Sequence, residues 1–200
     1  MCNNREQKKR SFVFKRTLKC SIYAIFLIFS LSASVYFLIC NLLNFYELLF
    51  PNFFTHMGNV EYTASLIQNQ IGGDVFRIET VSSYPADYRD TTNQAKNEQN
   101  ENARPELVNH LDDVSQYDTI YLGFPNWWGD MPMAVYSFLE EYDFTGKEIH
   151  VFVCHGGSGA SGTISTIQSL QSGASVDENP LTVYWTDVEN AENLVMNWLN

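Results

Sequence analysis

Two loops contain the residues that are best suited to bind a ligand. The first, Gly123–Pro132, has adjacent tryptophans at Trp127 and Trp128, and the second, His155–Gly162, has four glycines in eight residues. Each loop follows a run that is typical of a buried strand and precedes one that is typical of a helix. In an open parallel sheet, ligands bind at the carboxyl ends of the strands. A tryptophan pair on one loop and bare glycine backbone on the other suit a flat aromatic ligand with hydrogen-bonding edges.

A third stretch, Phe54–Glu61, has the features of a phosphate-binding turn. Gly58 and Asn59 come just before a predicted helix, and the backbone N–H groups at a helix N-terminus favour a phosphate. A loop of this kind is more often only a turn, and Glu61 in the first helical turn would also complement the helix dipole without any ligand. The stretch by itself leaves both interpretations open.

A serine hydrolase is an alternative use of the His155–Gly162 loop, with Ser158 or Ser161 as the nucleophile. Neither serine completes the pattern G-x-S-x-G. The order of catalytic residues in α/β-hydrolases also requires a histidine after the serine, and none follows His155. Cys154 lies inside an apolar strand, where a thiol is usually inert. The sequence therefore disfavours a hydrolase.

Strands alternate with helices in the second part of the chain. Runs rich in β-branched and aromatic residues predict strands at Asp74–Glu79, Thr119–Phe124, Glu148–Cys154 and Leu181–Trp185. Apolar spacing predicts helices at Glu61–Gln70, Pro132–Tyr142, from Ser161 or Gly162 to Leu170, and at Val188–Leu199. The polar segment Thr91–Asn102 is compatible with a surface helix, and a second short helix is expected to end at Val108–Leu111. This alternation is typical of a parallel sheet with helices on both faces.

The first part of the chain has a different character. Seven of the twelve basic residues lie in residues 1–20, and the uncharged run Ser21–Leu43 is long enough to span a bilayer. The positive-inside rule would place the N-terminus in the cytoplasm and the domain, residues 44–200, on the far side of the membrane. A cleaved signal peptide, which would give a secreted domain, is the competing interpretation. A misassigned N-terminus, which would leave the domain cytoplasmic, is the third.

The charge of the domain restricts its partners. From Pro51 onward the chain has 5 basic and 21 acidic residues, a net charge of −16. Such a domain repels phosphate backbones, so we expect no nucleic-acid binding. The charge could steer a basic partner protein or could only keep the domain soluble. The four cysteines and four histidines lack the spacing of a zinc site, so we expect no structural metal.

Taken together, the three loops resemble those of the flavodoxin family. The resemblance is closest to small bacterial flavodoxin-like proteins whose middle loop reads Pro-Asn-Trp-Trp, and it covers about Thr55 to Leu199. Tyr84–Tyr88 and Ala103–Leu107 also look like that family's segment between the second and third strands. The resemblance implies a doubly wound parallel sheet of five strands in the order 2-1-3-4-5, preceded here by the hydrophobic N-terminal helix, with FMN at the switch point between strands 1 and 3. The first strand must then come from Glu47–Phe54, where Pro51 is unusual for a central strand.

The resemblance also implies which residues contact the cofactor. The phosphate loop would be Thr55, Gly58, Asn59 and Val60. The loop beside the isoalloxazine ring would be Pro125, Asn126, Trp127, Trp128 and Gly129. The loop at the pyrimidine edge of the ring would be His155, Gly156, Gly157, Ser158 and Gly159. The family usually has hydroxyl residues where Met57 and Val60 stand, so two side-chain hydrogen bonds to the phosphate would be missing.

The function implied is that of an FMN-binding protein that transfers electrons to a redox partner, which could be basic, or acts as a flavin-dependent reductase. In such proteins the flavin carries the redox chemistry and the protein sets its orientation and potential. A strongly acidic surround would lower that potential. The alternative is a flavodoxin-like interaction module that has lost flavin binding, which Met57, Val60 and Pro51 favour.

Overall fold

A computed structural model describes the backbone of residues 47–51 and the backbone and side chains of residues 58–200. The strands are β1 (Glu47–Pro51), β2 (Asp74–Val75), β3 (Thr119–Pro125), β4 (Glu148–His155), β5 (Ser175–Val176) and β6 (Leu181–Tyr184). The helices are α1 (Asn59–Ile71), α2 (Tyr88–Glu101), α3 (Met133–Glu141), α4 (Thr163–Leu170) and α5 (Ala191–Trp198), the last preceded by a 3₁₀ turn at Val188–Asn190.

The strands form one parallel sheet in the order β2-β1-β3-β4-β5, with β6 also paired to β4. The predicted order 2-1-3-4-5 is therefore confirmed, with the fifth strand divided into β5 and β6. Ile149 pairs with Val176 and Phe152 pairs with Leu181, so four residues of the edge strand stand opposite two of β4. The additional residues leave the ladder between the two segments, and Pro180, which cannot donate to a ladder, is among them.

The two faces of the sheet pack against different helices because side chains alternate along each strand. Ile120, Leu122 and Phe124 of β3 face a core that includes Val135 of α3 and Ile167 of α4. On the other face Tyr121 of β3 and Phe152 of β4 pack with Ala64 of α1 and Val195 of α5. Helices thus cover both faces of the sheet, and the loops at the ends of the strands are left for a ligand to reach. The end at which the strands finish is called the carboxyl edge.

The segment between β2 and α2 differs from the prediction of a strand over Asp74–Glu79. Parallel pairing stops at Val75, and the backbone beyond it turns to a different partner. The N–H of Val81 donates to the carbonyl of Glu106 (2.9 Å) and the N–H of Val108 donates to the carbonyl of Glu79 (2.8 Å). This antiparallel contact also explains why the helix predicted at Val108–Leu111 is absent.

Strand β1 occupies the predicted central position, between β2 and β3. Pro51 is its last residue and lies opposite Gly123, whereas β2 pairs only with Leu48 and Leu49. The proline therefore lies at the end of the strand, where a missing ladder donor disturbs the sheet less than it would in the middle.

The predicted basic and hydrophobic segments, residues 1–20 and 21–43, lie outside the described residues. Among the described residues, 47–51 and 58–200, no helix is long and apolar enough to cross a membrane.

Candidate functional site

The loops that follow β3 and β4 lie side by side at the carboxyl edge of the sheet. The backbone N–H of Asn126, just after β3, donates to the carbonyl of Cys154 in β4 (2.9 Å). The side-chain amide of Asn126 donates to the carbonyl of Gly159 (2.8 Å) and to Oγ of Ser161 (2.8 Å). The two loops that the sequence singles out are therefore held side by side, while Pro125 is a buried residue of the strand itself.

The tryptophan loop contains a tight turn at Trp127–Asp130. The N–H of Trp127 donates to the carbonyl of Asp130 (2.8 Å), and the N–H of Asp130 donates to the carbonyl of Trp127 (3.1 Å). Trp128 has φ +55° and Gly129 has φ +81°, as a type I′ turn requires of its two central residues. Glycine adopts this conformation readily, whereas a bulky residue such as Trp128 does so only when its contacts compensate for the strain.

Contacts with α2 provide that compensation for Trp128. Its Nε1–H donates to the carbonyl of Thr92 (2.9 Å), and Nζ of Lys96 lies 5.4 Å from the centre of its ring. The side chain still has 56% of its surface exposed. Trp127 is half-buried and meets the ring of Tyr84 edge to face, at 5.3 Å between ring centres.

The roles of Thr92, Lys96 and Tyr84 at this edge are not visible in the sequence spacing, because each contacts a tryptophan more than thirty residues away. The one available signal was the family-like stretch that begins at Tyr84. The hydroxyl of Tyr84 donates to the carboxylate of Glu98 on α2. Burial, together with that carboxylate, raises the pKa of Tyr84, so the phenol stays protonated and remains a donor.

The glycine loop after β4 is organised by His155. Nδ1 of His155 accepts a hydrogen bond from the N–H of Gly157 (3.0 Å), and burial lowers the pKa of the imidazole. The ring is therefore neutral at pH 7, with the proton on Nε2. Gly157, Gly159 and Ser161 all have positive φ, and Gly157 and Ser161 are exposed.

The phosphate loop is described only from Gly58 onward, because Thr55 and Met57 lie outside the described residues. Gly58 has φ +69° and precedes α1, whose first N–H groups have no acceptor within the helix. The side chain of Val60 is fully buried in the core between α1 and the sheet. The site prediction for Val60 therefore depends on its backbone N–H alone.

Trp185, which is not among the site residues predicted from the sequence, connects the phosphate loop to the glycine loop. Its carbonyl accepts a hydrogen bond from Nδ2 of Asn59 (3.3 Å), and its N–H donates to the carbonyl of His155 (2.9 Å). A Cβ built on Gly156 would lie 3.9 Å from Cδ1 of its indole ring. Its place at the end of the edge strand β6 was the only signal available in the sequence.

The described geometry does not support a nucleophile at this edge. Burial raises the pKa of Cys154 to about 11, although a contact with Oγ1 of Thr63 opposes that shift. Oγ of Ser161 donates to the carbonyl of Ser158 (3.2 Å), and His155 already accepts the N–H of a glycine. These groups support the loop and are not arranged for acyl transfer.

Several glycines of the candidate site have open space beside them. A Cβ built on Gly58, Gly129, Gly157 or Gly159 would meet no atom within 4 Å. Backbone N–H groups of the glycine loop, the exposed indole ring of Trp128 and the N-terminus of α1 thus follow the carboxyl ends of the strands. This donor set fits an aromatic ring system that carries a phosphate.

Comparison with known proteins supports this interpretation. A profile of the family described as Flavodoxin matches residues 49–200. The chain belongs to the flavodoxin family. No curated protein matches the sequence.

Solved structures share the flavodoxin fold of this domain. A protein from Bacteroides uniformis that is assigned as a flavoprotein is 25% identical, with a TM-score of 0.66 over 76% of this chain and 99% of its own. A Lactobacillus acidophilus flavoprotein in complex with FMN is 20% identical, with a TM-score of 0.57 over 78% of this chain and 99% of its own. The second likeness shows the fold alone.

Proposed function

We propose that this flavodoxin-family domain binds FMN and works in electron transfer or as a flavin-dependent reductase. The observation that carries the proposal is the pairing of the tryptophan loop with the glycine loop. Asn126 holds the two together at the carboxyl end of β3 and β4. The FMN held by the similar Lactobacillus acidophilus protein agrees with this proposal.

Each loop would contact a different part of the cofactor. Trp128, which has the larger exposed ring surface of the pair, would stack on the isoalloxazine. The backbone N–H groups of Ser158 and Gly159 would donate to the oxygen and nitrogen atoms at the pyrimidine edge. When bound, FMN supplies the exchange of electrons, and the residues of the chain position it and keep water from its ring.

The phosphate would be held mainly by backbone donors. The N–H groups at the start of α1, from Asn59 onward, point toward the carboxyl edge, and the helix dipole favours an anion there. The aliphatic side chain of Val60 has no hydrogen-bond donor and is buried in the core. We therefore expect phosphate binding at position 60 to depend on the backbone N–H of Val60.

The test is to purify the full chain in mild detergent and record its visible spectrum and its titration with FMN. We expect a yellow protein, or quenching of FMN fluorescence that saturates with one FMN per chain. Trp128→Ala should weaken FMN binding. Trp198→Phe is the control, because Trp198 lies on α5 and contacts the rings of Tyr121 and His150, and this substitution should leave FMN binding unchanged. A colourless protein that leaves the fluorescence of added FMN unchanged would contradict the proposal.

A second function, a flavodoxin-like interaction module without flavin, is favoured by the buried Val60 and by Met57 in the phosphate loop. It would retain the fold and the acidic surface but would bind no FMN. The same titration separates the two functions, because the module would leave the fluorescence of added FMN unchanged.

We also propose that residues 21–43 attach the domain to a membrane and that its redox partner is basic. The uncharged run beside seven basic residues and the charge of −16 from Pro51 onward support these proposals. Membrane fractionation with alkaline washing would distinguish an integral anchor from a cleaved signal, since only the anchored chain stays in the pellet. Electron transfer to a basic acceptor should slow as the salt concentration rises, because salt screens the attraction.

A further inference from the structure

The side chain of Asn126 uses its hydrogen-bonding groups within the protein. Both hydrogens of its Nδ2 are engaged, one by the carbonyl of Gly159 and one by Oγ of Ser161, each at 2.8 Å. Its Oδ1 accepts the N–H of Gly129 at 3.1 Å. The side chain therefore spans from the tryptophan turn to the glycine loop, and its backbone N–H is fixed to Cys154 as well.

We propose that Asn126 is a positioning residue that sets the distance between the two loops, and does not itself contact the flavin. This inference rests on the proposed FMN site. An amide with both donor hydrogens already engaged has none left for a ligand. Fixed loops bind more tightly than mobile ones, because binding then requires less ordering.

The chemistry of the contact requires an amide. The substitution Asn126→Asp would keep the shape of the side chain, but the new carboxylate would face the carbonyl oxygen of Gly159 without a hydrogen to donate. Alanine would remove all three side-chain bonds. Ser161 has φ +51°, and it keeps this strained conformation while Asn126 and the carbonyl of Ser158 hold it.

The experiment compares Asn126→Asp and Asn126→Ala with the parent full chain by FMN titration. Asn197→Asp, which makes the same change in charge at an exposed position of α5, is the matched control. We expect the Kd to rise by about tenfold or more in both Asn126 variants, from the loss of two or three hydrogen bonds, and to stay unchanged in the control. An unchanged Kd in Asn126→Ala would overturn the proposal.

The pH profile distinguishes positioning from general destabilisation. In Asn126→Asp, lowering the pH protonates the new carboxyl, which then regains a donor, so the ratio of its Kd to that of the parent should fall. The titratable and charged groups around this position are Asp130 on the same turn, His155 at the end of β4 and Lys96 on α2. The parent contains all three, so the ratio removes their effects. A ratio that does not change with pH would overturn the proposed role of the amide donor.

Hydrogen exchange on the protein without FMN separates this inference from the proposed function. If the parent binds no FMN, the proposed function fails, but the hydrogen bonds that Asn126 makes between the two loops can still be tested. In Asn126→Ala the amides of Gly129 and Ser161 should exchange faster than in the parent, while amides of α5 should not change. Equal exchange at Gly129 and Ser161 in the two proteins would overturn the inference whether or not FMN binds.

Discussion

Gly123, in the strand that leads to the tryptophan loop, should not tolerate even one methyl group. It pairs in register with Phe152 of β4, and a Cβ built on Gly123 would lie 2.0, 2.3 and 2.6 Å from three atoms of the Phe152 ring. Ordinary contact begins at 3.4 Å, so the ring would have to move by about 1.4 Å. Gly123→Ala is therefore a direct test of how the two site-bearing strands pack.

The expected cost follows from the surroundings of the ring. Phe152 is fully buried and packs in a core with Leu181 and Val183 on the edge strand and Val195 on α5. Overpacking of a filled core usually costs about 1–3 kcal/mol. We expect a cost at the upper end of this range, because the Phe152 ring is fully buried and has little room to move. We therefore expect a loss of about 3 kcal/mol, or roughly 6–12 °C in Tm for a domain of this size.

Chemical denaturation of the protein without FMN measures this loss. Gly156→Ala is the matched control, because its new Cβ would meet only one atom, at the ordinary distance of 3.9 Å. Phe152→Leu should cost about 1–2 kcal/mol alone but should restore stability in the Gly123→Ala background, since it removes the clashing ring atoms. A loss below about 1 kcal/mol, or no recovery in the double variant, would refute the packing described for Gly123.

Three further predictions concern the site itself. Trp128→Phe removes the hydrogen bond to the carbonyl of Thr92, so amides of α2 near Thr92 should exchange faster, and unchanged exchange would count against that contact. Val60→Thr places a hydroxyl in an apolar core, so it should destabilise the protein by about 1–3 kcal/mol and should not tighten FMN binding. Tighter FMN binding would show that the side chain does reach the phosphate. Because burial lowers the pKa of His155, the unfolded chain binds more protons than the folded one below about pH 6.5. The free energy of unfolding should therefore decrease as the pH falls through that value toward the lower pKa of the folded state. Denaturation curves from pH 5 to 8 should show a smaller pH dependence for His155→Gln than for the parent. The same dependence in both proteins would contradict this role of His155.

The sequence alone predicts the two strands that lead to the candidate site. The runs Thr119–Phe124 and Glu148–Cys154 are largely apolar, as expected for strands that are buried on both faces, and each prediction matches the strand to within one residue. The helix predicted at Thr91–Asn102 is also present, although it begins earlier, because Asp87 accepts the N–H groups of Arg89 and Asp90. Local signals of this kind depend only on neighbouring residues.

Other features are decided only by contacts between distant parts of the chain. The segment at Glu79–Val81 has two β-branched residues, as many strands do, but it pairs with Glu106–Val108 because those residues are brought beside it. The two residues of β5 carry no pattern of their own, and pairing with β4 makes them a strand.

The same division holds within the site. Residue type and strand position placed a tryptophan loop and a glycine loop at one edge of the sheet, because parallel strands end together there. Sequence could not show that Val60 is buried, that Trp185 joins the phosphate loop to His155, or that Asn126 holds the two ligand loops together. Each of these facts depends on which atoms lie within a few ångströms after folding. Sequence thus determines which residues reach the edge, and the tertiary structure determines which of them remain free to bind a ligand.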